Sequence, residues 1–138
     1  MKYTNELRVY YADTDAYKVV WHGAYLRWLE AARVEFCNKI GLDLEKMHNS
    51  GDIVPVIEIN IKYKASAKLD DIIVIETEIA EFTQTKVKFI QKIKNKHTGI
   101  ENAMAEVTCV AVNIETGKMY RRMPDYLTEA FKKSQKLS

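Results

Sequence analysis

The segment from Gly23 to Ile40 constrains the fold most. Tyr25, Trp28, Leu29, Ala32, Phe36 and Ile40 fall at i, i+3, i+4, i+7, i+11 and i+15, a single helical stripe. Leu26, Ala31 and Val34 add apolar surface on the remaining sides, and Gly41 supplies a C-terminal stop. At ~1.5 Å per residue such a helix is about 27 Å long. A helix that is apolar on several sides needs cover on several sides, so the rest of the chain has to wrap it.

The downstream sequence is suited to wrapping. Ile57, Ile59, Ile61 and Tyr63 alternate with Glu58, Asn60, Lys62 and Lys64. Ile73, Ile75, Thr77 and Ile79 share one face, and Val87, Phe89 and Ile93 oppose Lys86, Lys88, Lys92 and Lys94. The run ENAMAEVTCVAVNI is apolar on both faces, as a central strand is. Upstream, ELRVYY places Leu7, Val9 and Tyr11 on one face and reads as a short strand. LDLEKMHNSG predicts a short second helix, and Pro124 opens a last helical segment with a basic, frayed end. The order is strand, long helix, four strands, helix. The expected class is α+β: a five-stranded antiparallel sheet around one long central helix, with meander-like or interleaved connections. At 138 residues the chain reads as a single domain, 1–138.

Composition excludes several functions. A net charge of +2 is too small for a nucleic-acid surface, although a small anionic ligand remains compatible. No run approaches the ~20 apolar residues of a membrane span. The start, MKYTNELRVYY, has no apolar signal-peptide core. Cys37 and Cys109 lie in apolar segments without metal or CxxC spacing, so they are expected to be buried free thiols in a reducing, cytoplasmic setting. No His, Cys and carboxylate cluster has metal spacing, so no metal is expected.

The chemistry concentrates in YADTDAYKVVWHGAY, residues 11–25. An Asp-x-Asp loop is ordinarily turn chemistry or helix capping. This one leads into a helix N-terminus, whose unpaired N–H groups and positive dipole end suit a developing oxyanion. A carboxylate on the preceding loop can face the same carbonyl, as general base or as nucleophile. Asp13 reads as structural, accepting backbone N–H bonds. His22 is expected to act more through its amide than through its imidazole. Gly23 would admit a substrate, and an apolar setting of Val19, Val20 and Trp21 would raise the Asp15 pKa. Tyr11 reads equally as a site residue or a core tyrosine.

The element order and these residues together resemble the hotdog-fold acyl-CoA thioesterases, in particular the 4-hydroxybenzoyl-CoA thioesterase-like, YbgC-type family. The likeness is carried by Val9, Tyr11, Asp13-Thr14-Asp15, Val19-Val20-Trp21-His22 and Tyr25, by Glu30-Ala31-Ala32-Arg33 in the helix, and by Tyr63 to Asp71. It implies hydrolysis of an acyl-CoA, or of acyl carrier protein, to free acid and thiol. Asp15 would be the catalytic carboxylate, the His22 amide the oxyanion donor, and Tyr11 and the His22 side chain would assist. Val20, Trp21, Gly23 and Tyr25 would bind substrate. The resemblance implies no separate cofactor, coenzyme A being part of the substrate, and it implies a homodimer or homotetramer with the site at the subunit interface.

The sequence departs from the family pattern at three places. Lys18 stands where the family has glycine before Val-Val, Ala24 replaces a frequent Asn or Ser, and Ser66 replaces a usual proline. Glu30 is the rival carboxylate and is expected to pair with Arg33 at i+3. The lysines of the strands read as a solvated sheet surface, some of them reaching coenzyme A phosphates. Thr83-Gln84-Thr85 occupies the turn where the family has arginine-type phosphate contacts. Two other functions stay open: a hotdog module that binds acyl-CoA without turnover, and, less well matched, a hydratase.

Overall fold

A computed structural model describes residues 1–136. Strand β1 (Lys2–Arg8) is followed by a 3-10 turn (Tyr11–Asp13) and by helix α1 (His22–Lys39). Then come α2 (Leu44–Asn49), β2 (Asp52–Ile53), β3 (Val56–Tyr63), β4 (Ile72–Phe82), β5 (Lys86–Asn95), β6 (Glu101–Val110), β7 (Val112–Asn113) and α3 (Asp125–Lys136). The principal sheet is antiparallel, in the order β1-β4-β5-β6-β3. The expected five strands are present and interleaved: β4, β5 and β6 form a meander, while β3 and β1 take its two edges. The small β2–β7 pair was not anticipated.

Alternation decides the inner face. Ile73, Ile75, Thr77 and Ile79 of β4 are buried with Val87, Phe89, Gln91 and Ile93 of β5 and Ala103, Ala105, Val107 and Cys109 of β6. Helix α1 lies on this face through Tyr25, Trp28, Leu29, Ala32 and Phe36, with the Phe36 ring edge-on to Phe89 at 5.8 Å. Beyond its last turn, Gly41 takes φ +87°, a left-handed step that glycine makes without penalty. Asp43 caps α2 by accepting the amides of Glu45 and Lys46. Helix α3 closes the open end of the core with Leu127 and Phe131. The end of the basic tail, residues 137–138, lies outside the described residues.

Three expectations shift. The first strand runs earlier than ELRVYY, so Tyr11 falls in the 3-10 turn and is exposed rather than in the core. Strand β3, whose alternation promised a buried face, leaves Ile57 (53 %), Ile59 (38 %) and Tyr63 (45 %) exposed, because among the described residues it is an edge bonded only to β6. A bulge between Val56 and Glu58 turns Ile57 out of the ladder. On α1 the expected cover is also incomplete, since Leu26 and Ala31 face outward.

Candidate active site

Asp13 organises the entry to α1. Its buried carboxylate accepts the Tyr10 amide at 2.9 Å and pairs with Arg27 of α1, while its carbonyl accepts the Trp21 amide. The chain thus leaves the 3-10 turn already tied to the helix it will enter. Residues 14–20 form a hairpin, with Thr14 opposite Val20. The Asp15 amide donates to the Val19 carbonyl, and the Lys18 amide donates back to the Asp15 carbonyl at 3.0 Å. This closure requires a left-handed residue at its last corner, and Lys18 supplies it at φ +62°. A lysine at this left-handed position carries backbone strain that glycine would not.

The Asp15 side chain is exposed and, among the described residues, accepts only the Tyr17 amide, at 2.8 Å. The apolar enclosure expected around it is absent on the single chain. Val19 is half-buried, Trp21 is half-exposed, and Tyr17 is almost fully exposed.

Helix α1 begins without a side-chain cap. The Ala24 amide donates to the Trp21 carbonyl, whereas the amides of His22 and Gly23 have no partner among the described residues. Two unpartnered N–H groups at a helix N-terminus directly follow the Asp15 hairpin, an arrangement that suits a nearby negative charge. A Cβ placed on Gly23 would overlap the six-membered ring of Trp21. The space that glycine opens is occupied by the protein's own indole, not left for substrate as expected.

The segment after β3 forms the wall. Val20 donates to Ala67, Leu69 donates to Lys18, and the Ala67 amide donates to the Tyr25 hydroxyl at 3.3 Å. Val20 and Tyr25, expected to touch substrate, lie instead in the core: they are 7 % and 3 % exposed and hold this wall from behind. Burial pushes the Tyr25 hydroxyl pKa up, so it stays protonated. The His22 ring stacks on Tyr63 of the β3 edge at 4.6 Å, and Tyr25 meets Tyr63 edge-on.

One further expectation changes. Glu30 does not pair with Arg33: Glu30 points outward, while Arg33 runs inward to donate to Gln91 Oε1 at 3.0 Å. Gln91 Nε2 in turn donates to the Leu29 carbonyl and to Thr77 Oγ1, both at 3.0 Å. This buried amide was missed at the sequence level because KFIQKI reads there as one polar lapse in a strand. Among the strand lysines, Lys64, Lys88, Lys94 and Lys96 are held by Glu101, Glu81, Glu76 and Glu6. Lys62, Lys68, Lys86 and Lys92 have no ion pair among the described residues, and Lys68 lies across from Val19 beside the site. Both cysteines are free; burial pushes Cys37 to about 12 and Cys109 to about 11. Among the described residues no three His, Cys, Asp or Glu side chains are placed to share a metal ion.

Residues 9–131 match the model of the thioesterase-like superfamily. The chain belongs to that family. It is 34% identical over 126 residues to the acyl-CoA thioester hydrolase YbgC of Escherichia coli, covering 91% of this chain and 92% of that one. It is 33% identical over 114 residues to the acyl-CoA thioesterase YbgC of Haemophilus influenzae, covering 82% and 81%. A solved DHNA-CoA thioesterase from Staphylococcus aureus superposes with a TM-score of 0.89 at 27% identity, covering 99% of this chain and 92% of that one. The family's hotdog fold is the one described above, a sheet wrapped on a central helix. No helix among the described residues is long and apolar enough to cross a membrane.

Proposed function

We propose that this member of the thioesterase-like superfamily hydrolyses acyl-CoA with Asp15 as its carboxylate and the N-terminal amides of α1 as its oxyanion donors. The chain is a thioester hydrolase of the acyl-CoA thioesterase kind. The observation that carries the residue assignment is the pair of unpartnered amides at His22 and Gly23, immediately after the hairpin that presents Asp15. Water gives a proton to Asp15 and adds to the carbonyl carbon. The oxyanion accepts the two amides, the C–S bond breaks, and the coenzyme A thiolate leaves and takes up the proton. Each donor aimed at that oxyanion is worth about 3–4 kcal/mol. In the nucleophilic variant Asp15 itself adds first, and water then cleaves the anhydride.

Tyr11, Tyr17 and Trp21 present exposed aromatic surface around the loop, and Val20, Gly23 and Tyr25 support it. Lys18 on this loop and Lys68 on the facing segment after β3 are exposed cations and suit the phosphates of coenzyme A or of an acyl-carrier prosthetic group. The reaction needs water and no further cofactor.

The active form in this reading is a homodimer, or a tetramer built from dimers. The long apolar edge β3 supports it, because such an edge is ordinarily covered. Tyr63 lies on that edge and stacks on His22, so a second chain there would enclose the otherwise open site. A cytoplasmic setting belongs to the same reading and is supported by the two free thiols.

The test is free-thiol release from a panel of aliphatic and aromatic acyl-CoAs, comparing wild type with Asp15→Asn. A fall of at least ~100-fold, with the circular dichroism unchanged, is expected. Full activity in Asp15→Asn would refute the assignment and make Glu30 the next residue to change. Acyl-CoA binding by wild type without thiol release would replace the enzyme with a binding module.

A further inference from the structure

Beneath the C-terminal half of α1 lies a cavity of about 260 Å³ that the proposed reaction does not use. Leu42 and Met47 line it from the α2 side, Val54 from before β3, Phe89 from β5 and Phe131 from α3. Its cation is Arg33, eleven residues beyond His22 and so about 16 Å along the helix from the oxyanion donors.

Arg33 is unusual in what it lacks. It is half-buried, and desolvation holds its pKa below the ordinary arginine value. Its one hydrogen bond goes to a neutral acceptor, Gln91 Oε1, and no carboxylate lies within ion-pair reach among the described residues. Glu30 also lines the cavity and partly offsets the desolvation of Arg33 through space, but it is exposed and makes no hydrogen bond or ion pair to Arg33 among the described residues. Gln91 is fixed by Leu29 and Thr77, so it holds the guanidinium in place. A cation withdrawn from water is ordinarily matched by an anion, and the planar guanidinium fork fits a carboxylate. The walls around it call for an apolar body.

We propose that this cavity binds a small carboxylic acid with a medium-length apolar body, its carboxylate on Arg33 and its tail against Phe89 and Phe131. The acid has two possible sources with this same chemistry: a free monocarboxylate, which is what thioester hydrolysis releases, or the far end of an acyl group bearing a second carboxylate.

Calorimetric titration of the intact protein with sodium octanoate and with 1-octanol tests the site without any thioester, so its outcome does not depend on Asp15. Octanoate is expected to bind at about 1 mM or tighter and to shift the Gln91 side-chain amide in nitrogen-edited NMR. Octanol, and octanoate on Arg33→Met, are expected to bind at least about tenfold more weakly. No heat and no Gln91 shift at about 10 mM octanoate would overturn the proposal, as would equal binding of octanol or an unaffected Arg33→Met. If Arg33→Met does not fold, Val54→Trp, which fills the cavity, takes its place. Loss of octanoate binding is then expected, and retained affinity overturns the site. Turnover separates the sources. A KM that rises in Arg33→Met for suberyl-CoA but not for octanoyl-CoA supports the site and assigns it to the acyl group. Non-competitive inhibition of octanoyl-CoA turnover by octanoate supports the site and assigns it to the free acid.

Discussion

Lys18→Gly tests the strain at the centre of the candidate site. Lys18 holds φ +62° because the hairpin closes between Asp15 and Val19 and its carbonyl must accept Leu69. A side-chain-bearing residue in that region costs roughly 1–2 kcal/mol, which glycine avoids. Against this, glycine frees the unfolded chain by about 0.4–1 kcal/mol. The balance favours Lys18→Gly by about 0.5–1 kcal/mol. At ~2.1 cal/mol/K per residue, a chain of 138 residues gains about 2–3 °C in Tm. Differential scanning calorimetry at one fixed protein concentration reads this directly, since oligomerisation would make Tm concentration-dependent. With acyl-CoA as substrate, kcat is expected to stay near wild type because Asp15 is still presented by the same turn. Any rise in KM would measure the lost cation. A Tm lowered by more than 1 °C, or a kcat that collapses, would refute the reasoning; the threshold is set at roughly a third of a kcal/mol.

Gln91→Leu should destabilise by about 2–4 kcal/mol, because it strands Arg33, Thr77 and the Leu29 carbonyl together; urea unfolding by fluorescence checks it. Asp52 is buried and accepts the hydroxyls of Tyr120 and Tyr126, the latter at 2.5 Å, tying α3 to the β2–β7 pair. Asp52→Ala should cost about 2–3 kcal/mol and speed amide exchange in α3 before the sheet. Glu76 lies between Lys94 and Lys2, and its ion pair with Lys94 lowers its pKa while that of Lys94 rises. Because the folded carboxylate has the lower pKa, its stabilisation is present above the unfolded value near 4.5 and fades as pH falls through the folded one. Glu76→Gln should therefore cost about 0.5 kcal/mol at pH 7, discounted for solvent, and nothing near pH 2. Equal losses at both pH values would rule this out.

Periodicity made the central fold legible. The α1 stripe and the inner faces of β4 and β5 fall where their spacing places them, because a fully covered face leaves an unambiguous alternation. Strand β3 shows the limit: its alternation is as clean as that of β4, yet pairing order, not pattern, decides that it is an edge. In the site, the left-handed turn at Lys18 was legible only through likeness to glycine-bearing relatives, since lysine carries no such signal. The burial of Val20 and Tyr25 was ambiguous because an apolar residue beside a motif serves wall and core alike. Arg33 was misassigned because i+3 spacing to Glu30 ignores the direction of the side chain, which from that face runs into the sheet.

The contact between Trp21 and Gly23 also gives the protein an optical handle. Of its two tryptophans, Trp28 is 5 % exposed and Trp21 is 52 % exposed, with its ring laid over the first turn of α1. Trp28 should emit in the blue and resist acrylamide, whereas Trp21 should emit in the red and be quenched. A ligand that comes to rest on the first turn of α1 beside Gly23 meets that second indole. Occupancy of the helix end can then be followed by emission alone, on unlabelled protein and with ligands that are never turned over.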